Sequence, residues 1–130
     1  MGTRAPMVSG QLAGLTAASD LSSYQYCNVK MASATTVDMC GANERGIGVL
    51  LNKPESGEAA DVALYGIVMM VVDGNAGAIT AGTSYLHSDA AGKGVATTTD
   101  THVLCGLALA GSSAAGDIIP VLLITSPLAG

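Results

Sequence analysis

Residues 46–124 consist of short apolar runs separated at close intervals by glycine-rich turns, and the longest runs, residues 67–72 and 118–124, are strand-sized. The rhythm is carried by Val62-Ala63-Leu64-Tyr65-Gly66-Ile67-Val68, by Ala78-Ile79-Thr80-Ala81-Gly82, by Gly106-Leu107-Ala108-Leu109-Ala110 and by Gly116-Asp117-Ile118-Ile119-Pro120-Val121-Leu122-Leu123. Runs of this length, bounded by Gly, Asn and Asp, describe strands and turns. Val, Ile and Thr favour pleated backbone, and the glycines recur often enough to interrupt helices of ordinary length. The fold class is therefore all-β, a small barrel or a sandwich, since both produce the same alternation. Only residues 11–23 offer a helical alternative, with Leu12, Leu15 and Ser19 on one face.

Along the chain, residues 1–23 have no persistent period and are interrupted by Pro6, Gly10 and Gly14, which predicts an extended N-terminal arm. Ordering such an arm costs on the order of 1–2 kcal/mol per residue, which a partner surface must supply. From Tyr24 a period of two begins, with Cys27, Val29 and Met31 expected to point inward. Residues 36–40 and 46–53 read as further strands, the second ended by Pro54. Residues 60–72 are too long for one average strand, and Gly66 predicts a bulge or bend where two strand segments meet at a corner. Asp73-Gly74-Asn75 and Asp89-Ala90-Ala91-Gly92 are turns, and strands follow at residues 83–87, 95–98, 103–110 and 117–124. Pro120 lacks an N–H and is expected on an edge or at a bulge. The predicted organisation is an arm over residues 1–23, an all-β domain over 24–126 and a tail over 127–130.

At 130 residues the chain fits one domain, which at this size buries roughly two thirds of its unfolded surface. With no Phe or Trp and only 4 Tyr, each buried side chain contributes little area. A hydrophobic fraction of 49% with 12% charged residues points instead to apolar surface buried between subunits, a homo-oligomer. The net charge of −5 repels phosphate backbones and anionic lipid, so neither nucleic acid nor membrane is expected as a direct partner. No apolar run reaches the roughly 18–20 residues of a membrane-spanning helix, and residues 1–9 lack the apolar segment of a secretory signal, so synthesis and retention in the cytoplasm are expected. Cys27, Cys40 and Cys105 are odd in number and lack Cys-x-x-Cys spacing, which argues against a disulfide framework or structural zinc; they read as small buried hydrophobes.

Candidate chemistry is sparse. Ala91-Gly92-Lys93-Gly94 fails as a phosphate loop, because His87 stands where the first Gly belongs and Gly94 where the hydroxyl belongs. Lys93 at a hairpin tip is a possible lipoyl or biotinyl attachment point, against the plainer reading of a solvated turn lysine. His87, His102, Cys105 and Asp89 or Asp100 contain the residue types of a nucleophilic triad, but the spacing of His102 and Cys105 puts them on opposite faces of a strand. Glu55, Glu58 and Asp61 lie close in sequence without the ligand spacing of a calcium loop, which favours a solvated turn. No catalytic, cofactor-binding or metal-binding residue is assigned, and the expected protein is not an enzyme.

The order of four phrases carries a resemblance. Residues 57–66 with their Val-x-Leu-x-Gly core, Ile79-Thr80-Ala81-Gly82-Thr83, Ser88-Asp89-Ala90-Ala91-Gly92-Lys93, and Gly106-Leu107-Ala108-Leu109 ahead of Ala115-Gly116-Asp117-Ile118-Ile119-Pro120 together resemble the capsid cement, or head decoration, proteins of tailed bacteriophages. The resemblance covers about residues 46–124; residues 1–45 rest on analogy. It implies a structural protein on the outer surface of the virion capsid. There it would form a homotrimer at threefold or quasi-threefold positions, bridging neighbouring major capsid subunits. The arm would then be the contact to the major capsid protein, through Thr3, Arg4, Pro6, Met7, Val8, Leu12 and Leu15, with strand addition to an exposed edge as its mode. Rival readings are a lipoyl-type carrier, a small hydrolase using Cys105, and a tail or fibre component of the same particle.

Overall fold

The computed structural model describes residues 14–97 and 103–124 together with the backbone of residues 11–12. The expected arm residues 1–10 and the tail 127–130 lie outside the described residues. Among those described there is no helix. The first half contributes β1 (Gln11–Leu12), β2 (Thr16–Ala17), β3 (Asn28–Met31), β4 (Thr36–Met39), β5 (Gly48–Leu50) and β6 (Val62–Ala63), and the second half β7 (Gly66–Asp73), β8 (Tyr85–Ser88), β9 (Gly94–Ala96), β10 (Leu104–Ala108) and β11 (Ala115–Leu123). The two halves form separate sheets. One is a six-stranded sheet in the order β1-β6-β5-β3-β4-β2, and the other a closed barrel in the order β10-β11-β7-β9-β8. The all-β expectation holds, with a barrel built onto an open sheet.

The chain passes from sheet to barrel between Ala63 and Gly66, where the sequence predicted a corner. Gly66 has φ +94°, a conformation that costs a side-chain-bearing residue but not glycine. β7 and β11 are the longest strands, and eight paired positions run from Ala115↔Asp73 to Leu123↔Gly66, with a bulge near Gly116. β10 lies on the other side of β11, and β8 closes the barrel onto β10. Pro120 therefore sits inside a strand paired on both sides, not on an edge or at the bulge. Its carbonyl accepts from the Leu109 N–H at 3.0 Å, just past the end of β10, so its missing N–H faces the side where the ladder is ending.

Two apolar clusters hold the fold. Met70, Val72, Leu86, Ile119, Val121 and Leu123 fill the barrel, and Leu15, Leu21, Val29, Val37, Leu50 and Val62 pack on the open sheet. Adjacent residues of β5 and β6 serve opposite clusters, because neighbours in a strand point to opposite faces. Val49 and Ala63 join the barrel core, while Leu50 and Val62 join the sheet core. Fully burying each large side chain favours folding by about 1.5–3 kcal/mol before entropy is counted.

Residues 14–23, expected to belong to an extended arm, lie inside the fold. Leu15, Ala17 and Leu21 are buried, β2 pairs in parallel with β4, and β1 pairs with β6. Strands of two residues are too short to display a period, which is why the sequence did not reveal them. The inward face expected for residues 27–31 is also corrected at its end. Cys27 and Val29 are buried, but Met31 is 38% exposed, and Asn28 on the opposite parity is buried.

Asn28 joins the two sheets. Its backbone N–H and its Nδ2 both donate to the Gly92 carbonyl, at 2.7 and 2.9 Å. Gly92 has φ +76°, and a Cβ there would stand 2.9 Å from the Asn28 carbonyl oxygen, so conformation and close approach both require glycine. Tyr26 makes a second bridge from a left-handed φ of 67°. Its N–H donates to Leu50 O of the sheet and its carbonyl accepts from the Val71 N–H of the barrel. Holding a bulky residue in that region costs on the order of 1–3 kcal/mol, which the two bonds across the junction offset.

Candidate functional site

The residues expected to contact a shell are dispersed. Thr3, Arg4, Pro6, Met7 and Val8 lie outside the described residues. Leu12 is in β1 opposite Val62. Leu15 is 3% exposed among Val29, Val37 and Leu50, so its side chain is committed to this protein's own core.

Side chains considered for catalysis or attachment serve turns and packing. Asp89 accepts from the Ala91 and Lys93 N–H groups at 2.8 and 2.9 Å, which fixes the turn that carries Lys93. His102 and Asp100 lie outside the described residues, and His87 Nδ1 is 3.2 Å from the Ser88 carbonyl oxygen. Desolvation pushes the Cys27 thiol up to about 11 and the Cys105 thiol up to about 12, away from the thiolate form that a nucleophile uses. Burial likewise raises the Cys40 thiol. Glu58 caps its own turn by accepting from the Glu55 N–H at 2.7 Å, and the Asp61 N–H donates to Asn52 Oδ1. Among the described residues no group of three or more His, Cys, Asp or Glu side chains is placed to hold a metal.

A cavity of about 40 Å³ lies at the junction of sheet and barrel, lined in part by Asn28, Cys40, Ser88 and Cys105. Small-molecule sites run to roughly 300–1,000 Å³, so this space suits a few waters at most.

The distinctive surface is the outside of the barrel. Pairing registers align its outward side chains into rows across four strands. Tyr85 of β8 lies opposite Leu107 of β10, Leu107 opposite Leu122 of β11, and Leu122 opposite Ile67 of β7. Pro120 pairs with Met69 in the next row, flanked by Leu109, and Ile118 pairs with Val71 in the third. Ile67 is 67% exposed, Ile118 48%, Tyr85 46% and Met69 41%. Asp73 and Asp117 stand at one end of the strands, and Asp117 accepts from the Ser112 hydroxyl at 2.8 Å. Six of the eight large hydrophobic side chains exposed among the described residues lie on this face.

The chain is all-β, its polar side chains cap turns, and most of its large exposed apolar side chains lie on one barrel face. The phage cement protein family model matches residues 9–123, and the chain belongs to that family, a family of phage structural proteins. Among solved structures, the N base of the head fiber protein gp8.5 of bacteriophage phi29 has a similar fold. The TM-score is 0.68 at 15% sequence identity, over 88% of this chain and 92% of that one. A search of curated proteins finds no match to this sequence.

Proposed function

We propose that this protein decorates the outer surface of a phage capsid as a homotrimer at threefold or quasi-threefold positions, where it bridges neighbouring major capsid subunits. The observation that carries the reading is the uncharged, exposed apolar barrel face on a member of the cement family. Three linked copies convert modest contacts into strong retention, since binding through one copy raises the effective concentration of the others and multiplies affinity by roughly 10²–10⁴. The shell contact is assigned to the segment holding Thr3, Arg4, Pro6, Met7 and Val8, with Leu12 and Leu15 anchoring it to the domain. Host-cell synthesis followed by addition to the shell accords with this role.

The test is reconstitution on shells lacking the protein. Full-length protein should bind at saturable stoichiometry and raise the temperature at which the shells rupture. Deletion of residues 2–10 should leave a folded protein that no longer decorates; undiminished decoration would overturn the assignment of the arm. The deletion stops short of Leu15 because that residue belongs to the core. A second reading, the base of a fibre projecting from the head, is favoured by the likeness to the phi29 head fiber base. Imaging of native particles separates the two: density lying flat across capsid subunits supports cement, and density continuing outward supports a fibre.

A further inference from the structure

We propose that the outward face of β7 and β11, with the adjoining parts of β10 and β8, is the surface by which three copies of this chain pack around a common axis. The inference rests on the homotrimer reading and assigns it a location.

Three features of the face select further copies of the chain as its occupant. The first is charge. Each copy carries a net charge of −5, so identical molecules repel wherever carboxylates meet. The rows from Ile67 and Ile118 across to Tyr85 contain none, and Asp73 and Asp117 are confined to one end. The second is area. With roughly 150–200 Å² for a large side chain, the exposed fractions of Ile67, Met69, Tyr85, Leu109, Ile118 and Leu122 amount to about 400–550 Å² per copy. A stable two-body contact takes about 800 Å² from each partner, so one face against one partner falls short, whereas three faces closing on one column cover about 1,200–1,650 Å² between them. The third is shape. The outside of a closed barrel is convex, and two convex surfaces touch along a narrow band. Three arranged about an axis enclose a shared column, and every row then meets two neighbours. β7 and β11, of 8 and 9 residues, give that column a length of roughly 25–30 Å.

Met69 and Met31 supply a test within the unmodified protein. They are 41% and 38% exposed in the single chain, the first on the barrel face and the second on the open sheet, so a free face predicts similar oxidation rates. Oxidation follows access, and in the trimer Met69 should be oxidised at least about fivefold more slowly than Met31 by dilute peroxide, read by peptide mass spectrometry. Sedimentation of the full chain supplies the oligomeric state in the same buffer. The paired substitution Ile118→Glu with Leu122→Glu should yield a folded monomer, while Met31→Glu should leave the trimer intact. A monomeric wild type overturns the homotrimer reading and this inference with it. A trimeric wild type with equal oxidation of the two methionines overturns only the placement of the contact. So does protection of Met69 that appears only on shells, which would assign the face to the capsid.

Discussion

Replacing Asn28 by Asp tests how sheet and barrel are joined. Asn28 is 2% exposed, and its Nδ2 donates to Gly92 O at 2.9 Å and lies 3.6 Å from Met70 Sδ. Asn28→Asp keeps the shape and exchanges a donor for an oxygen facing a carbonyl. Ionised, the new carboxylate is buried without a cation; protonated, it regains an O–H for Gly92. Its pKa in the folded protein should therefore rise by about 3 units above an unfolded value near 3.9, which at 1.36 kcal/mol per unit is about 4 kcal/mol at neutral pH. Because the native state binds the proton more tightly, the variant's stability relative to wild type is greatest below the unfolded pKa. It falls by up to about 1.4 kcal/mol per pH unit as pH rises toward the folded pKa. Urea unfolding of variant and wild type, compared at the same pH, should give a deficit of about 3–5 kcal/mol at pH 7.5 and about 1 kcal/mol at pH 4. A domain of this size has a total stability of only about 5–15 kcal/mol, so the effect is large. A deficit below about 1 kcal/mol at pH 7.5, or one equal at both pH values, would refute the role given to Asn28.

Two further predictions follow from burial. Leu15→Ala should lower unfolding stability by about 2–5 kcal/mol, as cavities in packed cores do, measured by denaturant titration of the free protein. No change would return Leu15 to the role of a shell contact. The folded protein should resist alkylation of Cys27 and Cys40, which are 4% and 0% exposed, at pH 8 for as long as it takes the urea-unfolded chain to react fully, by peptide mass spectrometry. With the Cys27 thiol raised from about 9 to about 11, its contribution to stability is complete below pH 9 and lost as pH climbs through the higher value. Rapid native labelling would contradict the enclosure described for them.

The sequence by itself determined the strand-and-turn rhythm of residues 24–124, the corner at Gly66 and the turns at residues 73–75 and 89–92, because each is a local effect of alternation or of backbone freedom. The phrases that carry the family resemblance are also local, so the family was legible before any contact was known. Tertiary structure alone decided which residues belong together. Leu15 and Leu21 read as parts of an arm because two-residue strands have no period, and their burial depends on strands distant in sequence. Asn28 is buried against expectation because the Gly92 turn covers the start of β3, while Met31, at the other end of the strand, is left exposed. In Ile67-Val68-Met69-Met70-Val71-Val72 and in Ile118-Ile119-Pro120-Val121-Leu122-Leu123 both faces are apolar, a pattern that ordinarily marks a strand covered on both sides. Barrel closure points Met70, Val72, Ile119 and Val121 inward and leaves Ile67, Met69, Ile118 and Leu122 without cover. The exposed apolar barrel face is thus written in the same residues as the core, and only their pairing in space tells the two apart.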